Sequence, residues 1–470
     1  MIAMPCLESL GWQRFASSCL VIVFFLPIYT SFTFADGVRP NIVFIMADDL
    51  GWGDVGFHGG NVATPSLNRL ASEGLELTSH YVAPVCSPTR TGLMTGRCWS
   101  RFNVTNPQSE RALPWNTITL PRALKEVGYQ TCIVGKWHLG SLPEEGPNEF
   151  GFDHSYGSLG GGVSPYSHRY KQGLFTKTWH RNQVRIEEQG HVTDLITKEA
   201  IEWIQSRGPS PFFLYVPFTA VHLPIKEPQE WLNRVPVSIQ GDVARHYAAC
   251  VMHLDDSISK ILVALDGKGV RNNTLVVFTS DNGGSTAENN DPKYPNDDCP
   301  TGKLTGNNAP WRGQKGDLYD GGTRVATIVQ WPGQAKPGKV NTPVQIIDWM
   351  PTFCSIAGYK ASTDLKWDGR DLSNLLSTHE PLADRSLYAV APGWRSRSLL
   401  SGSWKLIVHG TGESERYELF HLDRDPEESN NLAGSEKEKL KEMLEGLNSM
   451  AVGDKESVAR KEEQIQNRLK

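Results

Sequence analysis

The sequence predicts an α/β protein whose large, mostly parallel sheet is sandwiched between helices. After residue 40, continuous apolar runs alternate with segments of helical periodicity, and such runs are typical of strands buried on both faces. The runs are NIVFIMA (41–47), QTCIVG (130–135), PFFLYVPF (211–218), TLVVFTS (274–280) and VATIVQW (325–331). Strand–helix–strand order favours a parallel sheet because a crossover helix returns the chain to the same end of the next strand.

Helices are predicted between these runs. TPSLNRLASEG offers Thr64 as an N-cap and Pro65 at the first helical position. The other helical segments are TLPRALKEVG, VTDLITKEAIEWIQSRG and residues 242–265. After residue 372 the pattern changes, since LYAVA, RSLLSGSWKLIVHG and RYELFHLD predict short antiparallel strands before a helix near 434–450. We therefore predict a small C-terminal α+β domain with an antiparallel sheet.

The N-terminus predicts an export signal. Arg14 precedes the apolar run CLVIVFFLPIYTSFTFA, and cleavage after Ala35 would place Thr33 at the −3 position. An uncleaved membrane anchor or a buried strand is the alternative, but Pro27 and the small residues after it favour cleavage. We expect an exported protein, periplasmic or secreted, with no stable membrane insertion after cleavage. The predicted domains are a signal peptide (1–35), a catalytic domain (36–372), a C-terminal domain (373–455) and a charged tail (456–470).

Composition excludes some partners. The 470 residues carry 47 Lys and Arg against 52 Asp and Glu, a net charge of -5, so there is no basic excess to bind nucleic acid. Two of the eight cysteines lie in the signal. The others show neither metal-ligand spacing nor the density of a disulfide scaffold. They are Cys86, Cys98, Cys132, Cys250, Cys299 and Cys354.

Polar residues follow four of the apolar runs at the point where each strand ends. In an open α/β sheet, ligands bind outside the carboxyl ends of the strands. A turn or a satisfied histidine explains any one of these groups alone, but four at equivalent positions indicate a shared site. In chain order they are Asp48 and Asp49, Lys136 and His138, His222, and Asp281 and Asn282.

The residue types indicate a hard metal ion beside an oxyanion. Carboxylate and amide oxygens stand among the candidate ligands without cysteine or histidine, which favours Ca²⁺ or Mg²⁺ over Zn²⁺. Lys136, His138 and His222 add hydrogen-bond donors and protonatable groups. A sulfate or phosphate ester bound at a metal fits this set.

Cys86 stands in the segment YVAPVCSPTRTGLMTGR (81–97), where a following proline and good helix formers predict that it begins a helix. A helix N-terminus favours anions, and Arg90 falls on the same helix face. This setting predicts an activated nucleophile, while a buried free thiol is the alternative.

These motifs resemble those of the sulfatase family, the formylglycine-dependent, arylsulfatase-like branch of the alkaline-phosphatase-like superfamily. CSPTR (86–90) with LMTGR (93–97) is similar to the family's C-x-P-x-R…TGR signature, with Thr89 in place of a common serine. NIVFIMADDLGWGDVGFHGG, GKWHLG, SDNGG and RGQKGDLYDGGTR resemble its metal, lysine–histidine and second lysine motifs. The likeness extends from about residue 40 to FHLDRDPEESNNLA near 420–433.

The resemblance implies an alkaline-phosphatase-like fold and a sulfuric ester hydrolase. A separate formylglycine-generating maturation enzyme would oxidise Cys86 to Cα-formylglycine, whose hydrate has a second hydroxyl that lets sulfate leave without attack by water. One Ca²⁺ would be held by the side chain at position 86 together with Asp48, Asp49, Asp281 and Asn282.

The resemblance also implies roles for the remaining site residues. Arg90 and Lys136 would stabilise the nucleophile and the developing charge. His222 and Lys315 would bind sulfate and help the leaving oxygen depart, with His222 as the acid, and His138 would take a proton from the second hydroxyl. The resemblance alone selects Lys315, since it lies in a glycine-rich stretch typical of solvated loops.

The exported location and the long chain point to sulfated carbohydrate as the substrate. A phosphate mono- or diester hydrolase of the same superfamily is one alternative, and a non-catalytic exported glycan-binding protein with unconverted Cys86 is another. The insert GSLGGGVSPYSHRY (157–170) matches no shared motif, so it either contacts substrate or forms a mobile surface loop.

Overall fold

A computed structural model describes residue 1, residues 39–295 and residues 297–458. The predicted signal peptide, apart from residue 1, and the charged tail beyond residue 458 lie outside the described residues. The described residues from Arg39 onward belong to one compact unit. Within them, no helix is both long enough and apolar enough to cross a bilayer.

The structure contains the predicted alternation of strands and helices. The strands are β1 (Asn41–Ala47), β2 (Leu75–Leu77), β3 (His80–Tyr81), β4 (Gln130–Lys136), β5 (His154–Ser158), β6 (Trp179–Arg181), β7 (Val184–Arg185), β8 (Phe212–Pro217), β9 (Thr274–Ser280), β10 (Ile328–Gln330), β11 (Gly338–Val340), β12 (Val344–Gln345), β13 (Ser386–Val390), β14 (Ser396–Ser401), β15 (Trp404–His409) and β16 (Arg416–His421). The α-helices are α1 (Pro65–Glu73), α2 (Cys86–Thr95), α3 (Leu120–Glu126), α4 (Val192–Gln205), α5 (Gln229–Leu232), α6 (Asp242–Gly267), α7 (Asp320–Thr323), α8 (Trp349–Ala357), α9 (Ser373–Thr378) and α10 (Lys437–Ala451).

The large sheet has ten strands in the order β11-β2-β10-β9-β1-β8-β4-β5-β6-β7. Its centre, from β9 to β5, is parallel throughout, with Val43 paired to Leu214 on one side and to Val276 on the other. The predicted strand VATIVQW is shorter than expected, since β10 spans three residues and runs antiparallel to β9. The prediction of a mostly parallel sheet is confirmed.

Helices cover both faces of this sheet, which explains why β1 is apolar at every position after Asn41. Val43 and Ile45 join the core formed with α1, α4 and α6. Phe44 points to the opposite face, where its ring lies 5.8 Å from Trp349 and 6.0 Å from Phe353 of α8. A strand buried on both faces has no side chain facing water, so its sequence does not alternate.

The start of α1 differs from the sequence prediction in one respect. Pro65 is its first residue as expected, but the Thr64 hydroxyl makes no capping bond to the helix backbone. The carboxylate of Asp255 on α6 instead accepts hydrogen bonds from the Ser66 and Leu67 amides, at 3.0 and 2.8 Å. A side chain distant in sequence therefore satisfies the free amides of this helix.

The C-terminal region forms the predicted antiparallel sheet, in the order β13-β14-β15-β16, with α10 packed on it. Lys405 of β15 is almost fully buried and bridges two carboxylates, Asp320 at 2.7 Å and Glu428 at 2.8 Å. Asp320 belongs to α7, so this cluster ties the small sheet to the chain that follows β9. The domain limit at residues 372 and 373 stays a prediction.

Candidate active site

The sheet order brings the four polar groups together. β9, β1, β8 and β4 are consecutive neighbours, and each ends at the edge where its polar residues follow. Main-chain hydrogen bonds continue past the strand ends, from the Asp48 amide to the Ala220 carbonyl at 2.8 Å and from the Asp281 amide to the Ala47 carbonyl at 3.0 Å. Residues from four distant segments therefore face one another across a few ångströms.

Cys86 is the first residue of α2, and every residue of this helix is buried. Its Sγ lies 3.1 Å from Nδ1 of His138. Burial raises the pKa of the Cys86 thiol, although Lys136 and Lys315 act in the opposite direction. Burial thus disfavours the thiolate of the unmodified side chain, and the role of Cys86 as the nucleophile stays a prediction.

The side chain of Arg90 forms its hydrogen bonds with groups other than Cys86. Its guanidinium donates to Asp281 at 2.8 Å and to the Lys136 carbonyl at 2.7 Å. Burial opposes its charge, but Tyr215 and Asp281 outweigh burial and raise its pKa. The guanidinium is therefore a fixed positive charge in the site.

Three buried ion pairs form the floor of the site. Lys136 Nζ lies 2.6 Å from Asp48 Oδ2, Lys315 Nζ lies 2.8 Å from Asp49 Oδ2, and Arg90 pairs with Asp281. The carboxylates are at most 1% exposed. Burial favours the neutral form of Asp49, but Lys315 and His222 outweigh it and lower its pKa to about 2. Each carboxylate lies against a cation, which offsets part of the cost of burying charge here.

Two oxygen atoms of the site have no hydrogen-bond partner. Within the described chain, Asp48 Oδ1 and Asn282 Oδ1 are buried without a hydrogen-bond donor. Burial, together with Asp281, raises the pKa of Asp48 well above its ordinary range, so the site lacks positive charge there. Asp48, Asp49 and His222 also offer ligand atoms within 4.8 Å of one another. Oxygen donors that lack a partner, next to excess negative charge, fit a hard divalent cation.

The charged form of both site histidines is disfavoured. Burial, reinforced by Lys136, lowers the pKa of His138 well below its ordinary range, and burial with Lys315 does the same for His222. His222 Nδ1 contacts the Leu223 carbonyl, which leaves Nε2 facing Asp49 at 3.8 Å. A neutral imidazole can accept a proton, as a general base must.

The sequence reasoning missed the residues that form the wall of the site. A Cβ on Gly161 would lie 2.4 Å from His138 Nε2, and one on Gly162 would lie 3.0 Å from both His222 Nδ1 and the Tyr294 hydroxyl. The glycine-rich insert therefore packs directly on the two histidines and is buried there. Its run of three glycines was the available signal, since close backbone approach requires glycine.

Comparisons with known proteins agree with this geometry. A family model described as sulfatase matches residues 40–359, and one described as the C-terminal region of N-sulphoglucosamine sulphohydrolase matches residues 313–452. Arylsulfatase J of Mus musculus is 35% identical over 352 residues, which cover 72% of this chain and 56% of that protein. N-acetylgalactosamine-6-sulfatase of Mus musculus is 34% identical over 441 residues, or 83% and 81% of the two chains.

Among solved structures, that of Ps i-CgsB in complex with k-i-k-neocarrahexaose superposes with a TM-score of 0.78 at 29% identity, over 92% of this chain and 97% of that one. The chain belongs to the sulfatase family, because the first family model covers more than half of its length. The predicted alkaline-phosphatase-like fold is confirmed, and so, at the level of the family, is the prediction of a sulfuric ester hydrolase.

Proposed function

We propose that this protein hydrolyses sulfate esters of sulfated carbohydrates, using a formylglycine formed from Cys86 and one bound Ca²⁺. The observation that carries the proposal is the position of the residue 86 side chain, 3.1 Å from His138 and surrounded by three buried cation–carboxylate pairs. The carbohydrate part rests on relatives, since one is named N-acetylgalactosamine-6-sulfatase and another was solved in complex with k-i-k-neocarrahexaose.

The oxygen donors suit Ca²⁺ better than a softer metal. Asp48, Asp49, Asp281 and Asn282 would hold the ion together with the converted side chain at position 86, and two of their oxygens already lack a partner. When bound, the ion supplies positive charge that polarises the sulfate group and neutralises the excess carboxylates.

Conversion of Cys86 would replace a thiol that is a poor nucleophile in its buried position. The thiol is buried and its pKa is raised, so little thiolate is available to attack sulfur. A separate maturation enzyme acting before the chain folds would reach the thiol, which is about 2% exposed in the folded state. Export of the chain, with catalytic and C-terminal domains divided near residue 372, belongs to the same proposal.

The fixed cations bind and orient the sulfate group. Lys136 and Lys315 each hold one carboxylate, and their remaining N–H groups would bind sulfate oxygens. Arg90 already donates to Asp281 and to the Lys136 carbonyl, so it would act as a fixed positive charge behind them. Because these cations are held before substrate arrives, no reorganisation is needed as charge develops during the reaction.

The two histidines divide the proton transfers. His138 is neutral beside position 86, which suits it to take a proton from the hydroxyl there. His222 lies 3.8 Å from Asp49 and would protonate the leaving oxygen once the negative charge of the bound ester offsets burial and Lys315, which otherwise disfavour its protonated form. Lys315 keeps its proton through its pairing with Asp49 and assists by binding the sulfate.

Mass spectrometry and kinetics together test the proposal. The tryptic peptide of residues 70–90 contains Cys86 and no other cysteine. We expect protein from its native host to show this peptide with the sulfur replaced by an aldehyde oxygen, and to cleave an aryl sulfate much faster than the matched aryl phosphate. An intact thiol in active protein would overturn the formylglycine step, and faster phosphate cleavage would overturn the sulfatase assignment.

A further inference from the structure

Lys171 lies where two loops meet beside the site. The Gln172 amide donates to the Lys293 carbonyl at 2.7 Å, and the Thr176 hydroxyl donates to the Lys171 carbonyl at 2.9 Å. These bonds join the end of the glycine-rich insert to the segment around Tyr294. The backbone of Lys171 is therefore held in place from both sides.

The ammonium group stands over two aromatic rings. Its Nζ lies 5.6 Å from the ring centre of Tyr170 and 5.7 Å from that of Tyr294, and the two rings meet edge to face at 5.9 Å. Both tyrosines are at least 94% buried. The π faces favour the cation without using any of its three N–H donors, so these donors stay free for a ligand.

The aromatic pair connects this cation to the catalytic histidines. The Tyr170 ring lies 6.5 Å from the His138 ring. The Tyr294 hydroxyl and His222 Nδ1 both lie 3.0 Å from the point where a Cβ of Gly162 would stand. The two tyrosines therefore link the ammonium of Lys171 to the two histidines.

Lys171 has a charge but no ion-pair partner in the part of the chain that the structure describes. Burial lowers the pKa of Lys171. The carboxylate of Asp291 has the largest opposing effect and raises that pKa, although it does not form a salt bridge with Lys171. Other cations nearby are paired, such as Lys315 with Asp49. A half-buried cation that costs desolvation energy without a partner fits a place for an anionic ligand.

We propose that Lys171, supported by Tyr170 and Tyr294, binds a second anionic group on the sugar next to the one that carries the scissile sulfate. The group is a carboxylate or another sulfate, and the substrate is therefore a polyanionic glycan. This inference rests on the proposed sulfatase function and names the substrate class that the site selects.

Three disaccharides that differ only in the neighbouring sugar test the proposal, with a hydroxyl, a sulfate or a carboxylate at the same position. We expect Lys171→Gln to raise KM for the two dianionic forms roughly tenfold, as loss of a charged hydrogen bond would, with kcat unchanged. KM for the monoanionic form and for an aryl sulfate should stay within about twofold. The salt dependence of KM for the dianionic forms should also weaken, because one ionic contact is lost.

Two variants sharpen the comparison. Lys177→Gln is the matched control, since Lys177 lies nearby on the same loop, is exposed and already pairs with Glu187 at 3.4 Å. It should change nothing. Asp291→Asn should lower KM for the dianionic forms by a few fold, because it removes a carboxylate that repels the incoming anion.

The failure of this inference can be told apart from failure of the proposed function. Binding of the three disaccharides to Cys86→Ala, measured by titration calorimetry with and without Lys171→Gln, needs no turnover. Equal loss of affinity for monoanionic and dianionic forms, or no loss at all, would overturn the role of Lys171. Absence of aryl sulfate cleavage by the converted wild-type enzyme would overturn the sulfatase function alone.

Discussion

Gly161→Ala adds a single methyl group to the wall of the site, directly against His138. The main-chain φ of Gly161 lies outside the left-handed region, so alanine fits its backbone without strain. The added Cβ would nevertheless stand 2.4 Å from Nε2 of His138, where ordinary contacts begin at 3.4 Å. The ring or the loop must therefore move by about 1 Å.

The surroundings of His138 determine which part moves. Its amide donates to the Leu159 carbonyl at 3.1 Å, and its carbonyl accepts from the Ser87 hydroxyl at 2.9 Å. The backbone is held on both sides, so the imidazole shifts relative to position 86. A displacement of about 1 Å of a positioned catalytic group costs on the order of 100-fold in rate. This loss corresponds to about 2.7 kcal/mol of transition-state stabilisation.

Steady-state hydrolysis of an aryl sulfate measures this effect. We expect kcat of Gly161→Ala to fall about 100-fold while the formylglycine content at position 86 and the thermal midpoint change little. Gly208→Ala is the matched control, because a Cβ there meets no atom within 4 Å and the backbone is likewise compatible with alanine. It should retain full activity.

The reasoning would be refuted by a Gly161→Ala enzyme that keeps kcat within about threefold of the wild type, since His138 would then tolerate the displacement. A large fall in the thermal midpoint would point instead to general damage of the loop. Measuring both quantities on the same preparations separates these outcomes.

Three further predictions follow from other contacts. Cys86→Ala should abolish turnover with the fold intact, whereas Cys86→Ser, with one hydroxyl, should release at most one equivalent of product in a burst assay. Burial disfavours the charged form of His253, but Asp194 and Glu227 outweigh burial and raise the pKa of His253 from 6.5 to about 9. The charged histidine therefore contributes its full stabilisation below pH 6.5, and this stabilisation is lost as the pH rises to about 9. The free energy of unfolding should fall by about 3 kcal/mol across that window, and His253→Gln should flatten the slope. Lys405→Met removes the cation that bridges two buried carboxylates, Asp320 and Glu428, although Asp320 keeps its pairing with Arg324 at 3.2 Å. It should lower the free energy of unfolding in denaturant by about 3–5 kcal/mol. A loss below about 1 kcal/mol would show that Arg324 and the remaining hydrogen bonds suffice to stabilise the two carboxylates.

The sequence by itself determined the central architecture and the residues that follow each strand. β1, β4, β8 and β9 begin and end within a few residues of the apolar runs, because a strand buried on both faces is apolar over most of its length. The start of α2 at Cys86 was also predicted from the sequence, since proline and helix formers act locally. These features depend on neighbours in the chain.

The tertiary structure alone decided which of these residues contact one another. Arg90 pairs with Asp281, 191 residues away, although its sequence position suggested a partnership with Cys86. Lys315 enters the site only because its loop folds back onto Asp49. Burial raises the pKa of the Cys86 thiol, which no local pattern reports. Ion pairs, desolvation and close packing depend on which strands are neighbours in the sheet, and that order is set by the packing of the whole core.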